Sequence, residues 1–271
     1  MTHDVFVLSD VGRVRQHNED DCLVIPAEQV YVVADGMGGH ACGEVASRIS
    51  VESIADFYAD PEHEDALRAK YKGLKEASEK AERTEDDEEP DAALSSFHQY
   101  RLRTAVEFGN RQIFKAASRD ARFNDMGTTV VSIAFSGSRV YCAYVGDSRV
   151  YRMRGDTLDQ LTEDHSLANE FIRLGVLKPE DLPSFPYKNV IVRALGLQED
   201  VEVDSFYRTA KPGDRFLLCS DGLTDLVSDD EMAAILADVK GAKSAAEALV
   251  SDALELGGVD NVTVMIVDVH E

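Results

Sequence analysis

The stretch Thr128-Thr-Val-Val-Ser-Ile-Ala-Phe-Ser-Gly-Ser-Arg-Val-Tyr-Cys-Ala-Tyr-Val-Gly-Asp-Ser-Arg-Val-Tyr-Arg-Met-Arg-Gly-Asp156 decides the fold. Its runs 129–135, 140–145 and 150–153 are rich in Val, Ile, Tyr and Phe, which suit strands. Phe135-Ser-Gly-Ser138 and Arg154-Gly-Asp156 punctuate them, the pattern of consecutive tight hairpins. The expected sheet is therefore largely antiparallel, not a βαβ array. Outward from this centre, runs 5–8, 30–34, 203–207, 216–220 and 262–267 add further strands. Helical periodicity appears in 43–58, with Ala46, Ile49, Ser53 and Phe57 on one face, and in the stripe Leu102, Val106, Gly109, Ile113, Ala117. Two capping boxes, Ser228…Glu231 and Ser244…Glu247, predict helix starts near the C-terminus, and Gly257-Gly258 predicts a helix stop. The expected class is α+β, with layers around one core.

Composition narrows the function. The chain has 271 residues and a formal net charge of −23. Such acidity repels nucleic-acid phosphates and anionic membrane surfaces. No apolar run reaches the roughly 18–20 residues of a membrane helix, and the N-terminus lacks the pattern of a secretory signal. Cys22, Cys42, Cys142 and Cys219 are widely spaced, which reads as reduced thiols in a cytoplasmic protein rather than a disulfide frame or a zinc site. Segment 62–91 carries twice as many acidic as basic residues. Its first part, with Lys72, Glu76 and Lys80 at i,i+4 spacing, reads as a solvated helix, and Glu85–Asp91 as an acidic loop. The whole chain is expected to form one domain with this segment as an insertion.

Chemistry concentrates in five short motifs: Arg15-Gln-His-Asn18-Glu19-Asp20, Asp35-Gly36-Met-Gly-Gly-His40, Gly146-Asp147-Ser-Arg149, Ser220-Asp221-Gly222 and Asp260-Asn261-Val-Thr263. Each places an aspartate at the end of a strand-like run, often beside a glycine that permits close backbone approach. Singly, each could be an ordinary Asp turn. Together they point to a site. Clustered carboxylates repel unless a cation compensates, and hard oxygen ligands suit Mg²⁺ or Mn²⁺. Two such ions can activate water and clamp a phosphoryl oxygen, and Arg15 is a planar cation suited to phosphate. The residues therefore point to metal-assisted hydrolysis of a phosphate ester.

In this order the motifs resemble the protein phosphatase 2C (PPM) family of metal-dependent protein serine/threonine phosphatases. Asp-Gly-Met-Gly-Gly-His40 followed by Ala41–Ser47, Asp164-His165-Ser-Leu167 and Asn189–Gly196 resemble its bacterial branch. The resemblance implies a four-layer α/β/β/α sandwich with two central antiparallel sheets. It implies two Mn²⁺ or Mg²⁺ ions and a third, weaker one. Asp35 would bridge the two ions, the Gly36 carbonyl would bind the second, and Asp221 and Asp260 would complete the first. Asp20 would act through bound water, with Asn18, Glu19 and Asn261 supporting, and Asp147 with Asp221 would hold the third ion. Arg15 matches the phosphate arginine, although Arg13 lies close enough to share steering. His40 is a candidate general acid, with a partner to metal-bound water or a structural hydrogen bond as alternatives. His165 is read as structural, orienting the root of a flap at about 165–196. Phosphorylated proteins would be the substrates, opposite a bacterial Ser/Thr kinase, with the enzyme a monomer. Two rivals remain at this level: a regulatory relative without activity, whose mark would be a lost aspartate, and a hydrolase of small phosphate esters.

Overall fold

The computed structural model describes residues 1–38, 42–80 and 96–271. Eleven strands form among the described residues: β1 (His3–Asp10), β2 (Asp20–Ile25), β3 (Val30–Met37), β4 (Gly127–Thr128), β5 (Val130–Ser136), β6 (Arg139–Val145), β7 (Arg149–Arg154), β8 (Thr157–Gln160), β9 (Asp204–Thr209), β10 (Arg215–Cys219) and β11 (Val262–Val269). The helices are α1 (Cys42–Ala59), α2 (Pro61–Lys80), α3 (Phe97–Ala117), α4 (Leu167–Arg173), α5 (Asp221–Thr224), α6 (Asp229–Asp238) and α7 (Ala242–Glu255). One sheet has the order β1-β11-β10-β7-β8; the other runs β2-β3-β5-β6-β9, with β4 beside β3. All pairings of named strands are antiparallel.

Strand alternation builds the layers. In β3, Tyr31 and Val33 face the other sheet, where Phe216, Leu218, Met265 and Val267 meet them. Val30, Val32 and Ala34 face outward, under Ala46, Ile54 and Phe57 of α1 and Leu102 and Val106 of α3. In the second sheet Leu217, Val264 and Ile266 face outward, under Leu223, Met232 and Leu249 of α5–α7. Strands covered on both faces lose the apolar/polar alternation of half-exposed ones, which explains the continuous apolar runs. The result is the expected α/β/β/α sandwich.

The two hairpins form as expected, β5–β6 around Gly137 and β7–β8 around Gly155, both at positive φ. The Ser228 capping box is complete, with Ser228 accepting from the Glu231 N–H and Glu231 accepting from the Ser228 N–H. The Ser244 box does not form. Helix α7 already starts at Ala242 after Gly241, whose φ of +82° turns the chain into the helix without a side-chain cap, so Ser244 lies inside the first turn. Its far end stops at Gly257-Gly258, whose N–H groups donate to Leu254 and Ala253 carbonyls. Helix α2 is more than a solvated face. Glu64 pairs with the buried Arg101 at 3.1 Å, and that guanidinium also pairs with Glu28 at 2.8 Å and lies over Tyr58. The acidic loop 85–91 lies outside the described residues. Cys42, Cys142 and Cys219 are buried and Cys22 is half-buried. Among the described residues, no helix is long and apolar enough to cross a membrane.

Candidate metal centre

Both sheets end along one edge, and the predicted aspartates sit there. Asp20 opens β2 and stands directly opposite Asp35 near the end of β3. Asp221 follows β10, Asp260 precedes β11, and Asp147 lies in the three-residue link by which the chain leaves β6 in one sheet and enters β7 in the other. Like charges on facing residues destabilise a sheet unless something neutralises them. The acidities show the strain. Burial, then the charges of Asp20, Asp221, Asp147 and Asp260, push the Asp35 carboxyl well above the usual range. Burial also lifts Asp20 to about 6. For Asp221, burial and then the Asp147 charge lift the carboxyl to about 7. For Asp147, burial and then the Asp164 charge lift it to about 6. Arg15 is the cation that enters, its Nη2 donating to Asp260 Oδ2 at 2.6 Å.

The surroundings are built to hold this edge open. Asp20 Oδ2 accepts from Ser220 Oγ at 2.8 Å, while its Oδ1 is buried without a partner. Asp147 is 8% exposed and its Oδ1 is likewise unpartnered. Asn261 staples the first loop, with Nδ2 donating to the Val11 and His17 carbonyls and Oδ1 accepting from the Glu19 N–H. Asn18 donates to Ser9 Oγ and accepts from the Asp20 N–H. Glu19 stands close to Gly43, where any added Cβ would meet its carboxyl carbon at 2.9 Å, and burial raises its pKa. Arg13 is engaged elsewhere, its Nε donating to the Leu254 carbonyl at the end of α7. Arg15 rather than Arg13 therefore meets the carboxylates. His40 lies outside the described residues.

Gly36 packs where no side chain fits. A Cβ there would lie 2.1 Å from the Gly43 carbonyl oxygen and 2.5 Å from that of Glu19. Both obstacles are backbone, so they cannot swing aside. Gly36→Ala is expected to destabilise the fold by roughly 1–3 kcal/mol through overpacking, read as a lower urea midpoint at unchanged m. An unchanged midpoint would show that β3 and α1 can part without cost.

The donor set fits hard divalent ions. All the converging side-chain groups are oxygens, two of them orphaned and buried, and burial together with neighbouring carboxylate charges raises the pKa of Asp35 and Asp221. As oriented, no three His, Cys, Asp or Glu side chains among the described residues group closely enough to hold an ion. The oxygens are turned instead to Ser220, to Arg15 and to one another.

Several residues at the edge carried no signal of their own. Thr128 Oγ1 donates to the Asp35 carbonyl, and Thr129 Oγ1 accepts from the Asp35 N–H and bonds Ser148 Oγ at 2.7 Å. From the sequence, Thr129 reads only as the first residue of the strand-like run 129–135. A cavity of about 280 Å³ opens beside Asp147 and Asp221, lined also by Arg149, Asp164, Asn189 and Asp225.

Comparison with known proteins agrees with this architecture. The protein phosphatase 2C family model matches residues 12–255. The chain belongs to the protein phosphatase 2C family. The serine/threonine phosphatase stp of Listeria welshimeri is 37% identical over 265 residues, which are 96% of this chain and 93% of that protein. The serine/threonine protein phosphatase PstP of Mycobacterium tuberculosis is 37% identical over 96% of this chain, but over only 44% of its own length. The crystal structure of the Mycobacterium tuberculosis PstP/Ppp phosphatase superposes with a TM-score of 0.80 at 34% identity, covering all of both chains. A structure of the catalytic domain of PstP in complex with two manganese ions gives 0.77 at 32% identity over 99% of each chain. The protein phosphatase 2C fold is thus shared across the whole chain.

Proposed function

We propose that this phosphatase hydrolyses phosphoserine and phosphothreonine in proteins at a centre of two Mn²⁺ or Mg²⁺ ions with a third, weaker ion beside them. The observation that carries the reading is the convergence of Asp20, Asp35, Asp147, Asp221 and Asp260 at one sheet edge, with Arg15 reaching Asp260. Asp35, the Gly36 carbonyl, Asp221 and Asp260 would hold the two inner ions, and Asp20 would act through water. Asp147 with Asp221 would hold the third. When bound, such ions lower the pKa of a water and neutralise charge on the phosphoryl oxygens.

The chain's own residues set the geometry. Asn261, Asn18 and Ser220 hold the backbone and carboxylates at the edge. Arg15 is half exposed and donates from Nη2 to Asp260 Oδ2, and its planar guanidinium would suit the paired oxygens of a phosphate. Asp35 is partly buried, so water would screen the attraction between carboxylate and cation less there than at the open surface. His40 is proposed as the general acid for the leaving alkoxide. Segment 165–196 would form a flap beside the cavity. The wider setting, a cytoplasmic monomer opposing a Ser/Thr kinase, is supported by the acidic, reduced character of the chain and by its bacterial relatives.

Hydrolysis of a phosphothreonine peptide compared with nucleotides and sugar phosphates, all with Mn²⁺, tests the substrate class. Preference for the peptide is expected; turnover confined to small esters would favour a small-molecule hydrolase. Arg15→Ala is expected to lower kcat/KM by roughly 1.5–3 kcal/mol, on the order of 10–150-fold, through loss of a charge-assisted contact. An intact Arg15→Ala enzyme beside a crippled Arg13→Ala enzyme would move the role to Arg13.

A further inference from the structure

Asp147 hangs on a link that has almost no structure of its own, so something must fix it. Gly146 adopts φ +109° and leaves no room for a Cβ, which would meet Thr129 Cβ at 2.5 Å. Both backbone groups of Gly146 are taken by one residue. The Gly146 N–H donates to His165 Nδ1 at 3.0 Å, and the Gly146 carbonyl accepts from the His165 N–H at 2.9 Å. Because Nδ1 accepts, the ring hydrogen sits on Nε2, which donates to Asp204 Oδ2 at 2.9 Å. Arg193 Nη1, a donor only, lies 3.3 Å from Nε2 and 3.4 Å from Asp204 Oδ1. The imidazole is 9% exposed and stacks on Tyr144 with ring centroids 5.1 Å apart.

The same residue is tied to the segment beside the cavity. The His165 carbonyl accepts from the Val192 N–H at 2.9 Å, and the neighbouring Leu167 N–H donates to Val190. Asp164 grips the far side of the link through a forked pair with Arg149, at 2.9 and 2.7 Å. The Asp164-His165 dipeptide thus clamps both ends of Gly146-Asp147-Ser148-Arg149 and also anchors residues 190–192.

We propose that His165 is a positioning residue: oriented by Asp204, it accepts the Gly146 N–H and so aims the Asp147 carboxylate at the weaker cation site while joining that site to the segment at 190–192. This rests on the role proposed above for Asp147. The bare structural alternative is a buried histidine that only fills space against Tyr144. The two differ in what the ring must supply. Space-filling needs a flat apolar ring; positioning needs an acceptor at Nδ1.

The test compares His165→Phe, which keeps ring and volume, with His165→Asn, whose Oδ1 stands near the place of Nδ1. Mn²⁺ titration by calorimetry, melting temperature, and turnover of p-nitrophenyl phosphate at saturating Mn²⁺ are read for each. His165→Phe is expected to weaken the weaker Mn²⁺ site and lower turnover on the order of 10–100-fold, as loss of an outer-shell partner does elsewhere. Its tighter Mn²⁺ sites should titrate as in wild type. His165→Asn should restore both readouts towards wild type. In an Asp147→Asn background, His165→Phe should cost no further turnover, because it acts through Asp147. Asp204→Ala, at a half-exposed position, should shift titration and turnover in the same direction by a smaller factor, and serves if His165→Phe does not fold. Wild-type titration and turnover in His165→Phe, or in Asp204→Ala when the former is unfolded, would overturn the proposal. So would a full additional loss in the Asp147→Asn background, or failure of Asn to do better than Phe. A wild-type protein without Mn²⁺-dependent turnover would instead remove the proposed function itself.

Discussion

Turnover is expected to vanish on treatment with EDTA and to return with Mn²⁺. The reason is the charge count at the sheet edge. Five carboxylates converge there, and Arg15 pairs with one of them, Asp260. Without ions the cluster relieves repulsion by taking up protons. Asp20 and Asp147 are pushed to about 6 and Asp221 to about 7, in each case chiefly by burial. Unfolded aspartates titrate near about 3.9. Between these values the folded, metal-free protein binds more protons than the unfolded chain, so its stability falls as pH rises from about 4 towards 7. Divalent ions bind the ionised carboxylates and therefore stabilise most where those groups have lost their protons. The gap in melting temperature between Mn²⁺ and EDTA samples should be wide at pH 7.5 and narrow at pH 5. A gap independent of pH, or full turnover in EDTA, would show that the aspartates do not form a cation site.

The site was legible because its geometry is a consequence of strand ends. Where an apolar run stops at Asp-Gly or Gly-Asp, the chain leaves a sheet and the carboxylate is delivered at the edge. That logic places Asp35, Asp147 and Asp221 at the sheet edge, where the structure has them, whereas Asp260 comes before its strand and is read only as part of a motif. Asp20 too is read only as part of a motif, because β2 carries Asp20-Asp-Cys-Leu-Val-Ile25, uniformly half-buried at a sheet edge, and shows no clean alternation. Strand β8 escaped for a similar reason: Thr-Leu-Asp-Gln is a short, polar edge strand. The partition of strands between sheets was also hidden. Runs 140–145 and 150–153 look like neighbours in one sheet, yet Gly146-Asp147-Ser148 carries the chain from one sheet to the other. Likewise nothing local announces that His165 binds Gly146 or that Asp164 binds Arg149, since both contacts depend on where a separate segment returns. The second capping box failed because a side-chain pattern predicts a helix start only if the backbone has not already turned, and Gly241 turns it earlier.

The sharpest separation between a turn and a site comes from Asp147→Asn. As a mere link between β6 and β7, position 147 would accept Asn readily, since Asn serves turns nearly as well as Asp. The structure gives the Asp side chain little to do in such a role: its Oδ1 is buried and bonds nothing, and the neighbouring contacts that hold the link belong to Gly146, Ser148 and Arg149. An ionised, unpartnered oxygen in that position costs stability, and burial with the Asp164 charge lifts its pKa accordingly. The neutral amide removes that cost while leaving a poorer ligand for a hard cation. Asp147→Asn is therefore expected to fold at least as well as wild type in EDTA. It should still titrate the ions held by Asp35, Asp221 and Asp260, lose the weaker one, and turn over on the order of 10–100-fold more slowly at saturating Mn²⁺. Calorimetric titration, a melting curve and turnover measured on one preparation read all three. Wild-type turnover with the weaker site gone would make that ion dispensable, and a markedly less stable metal-free variant would return Asp147 to a structural role.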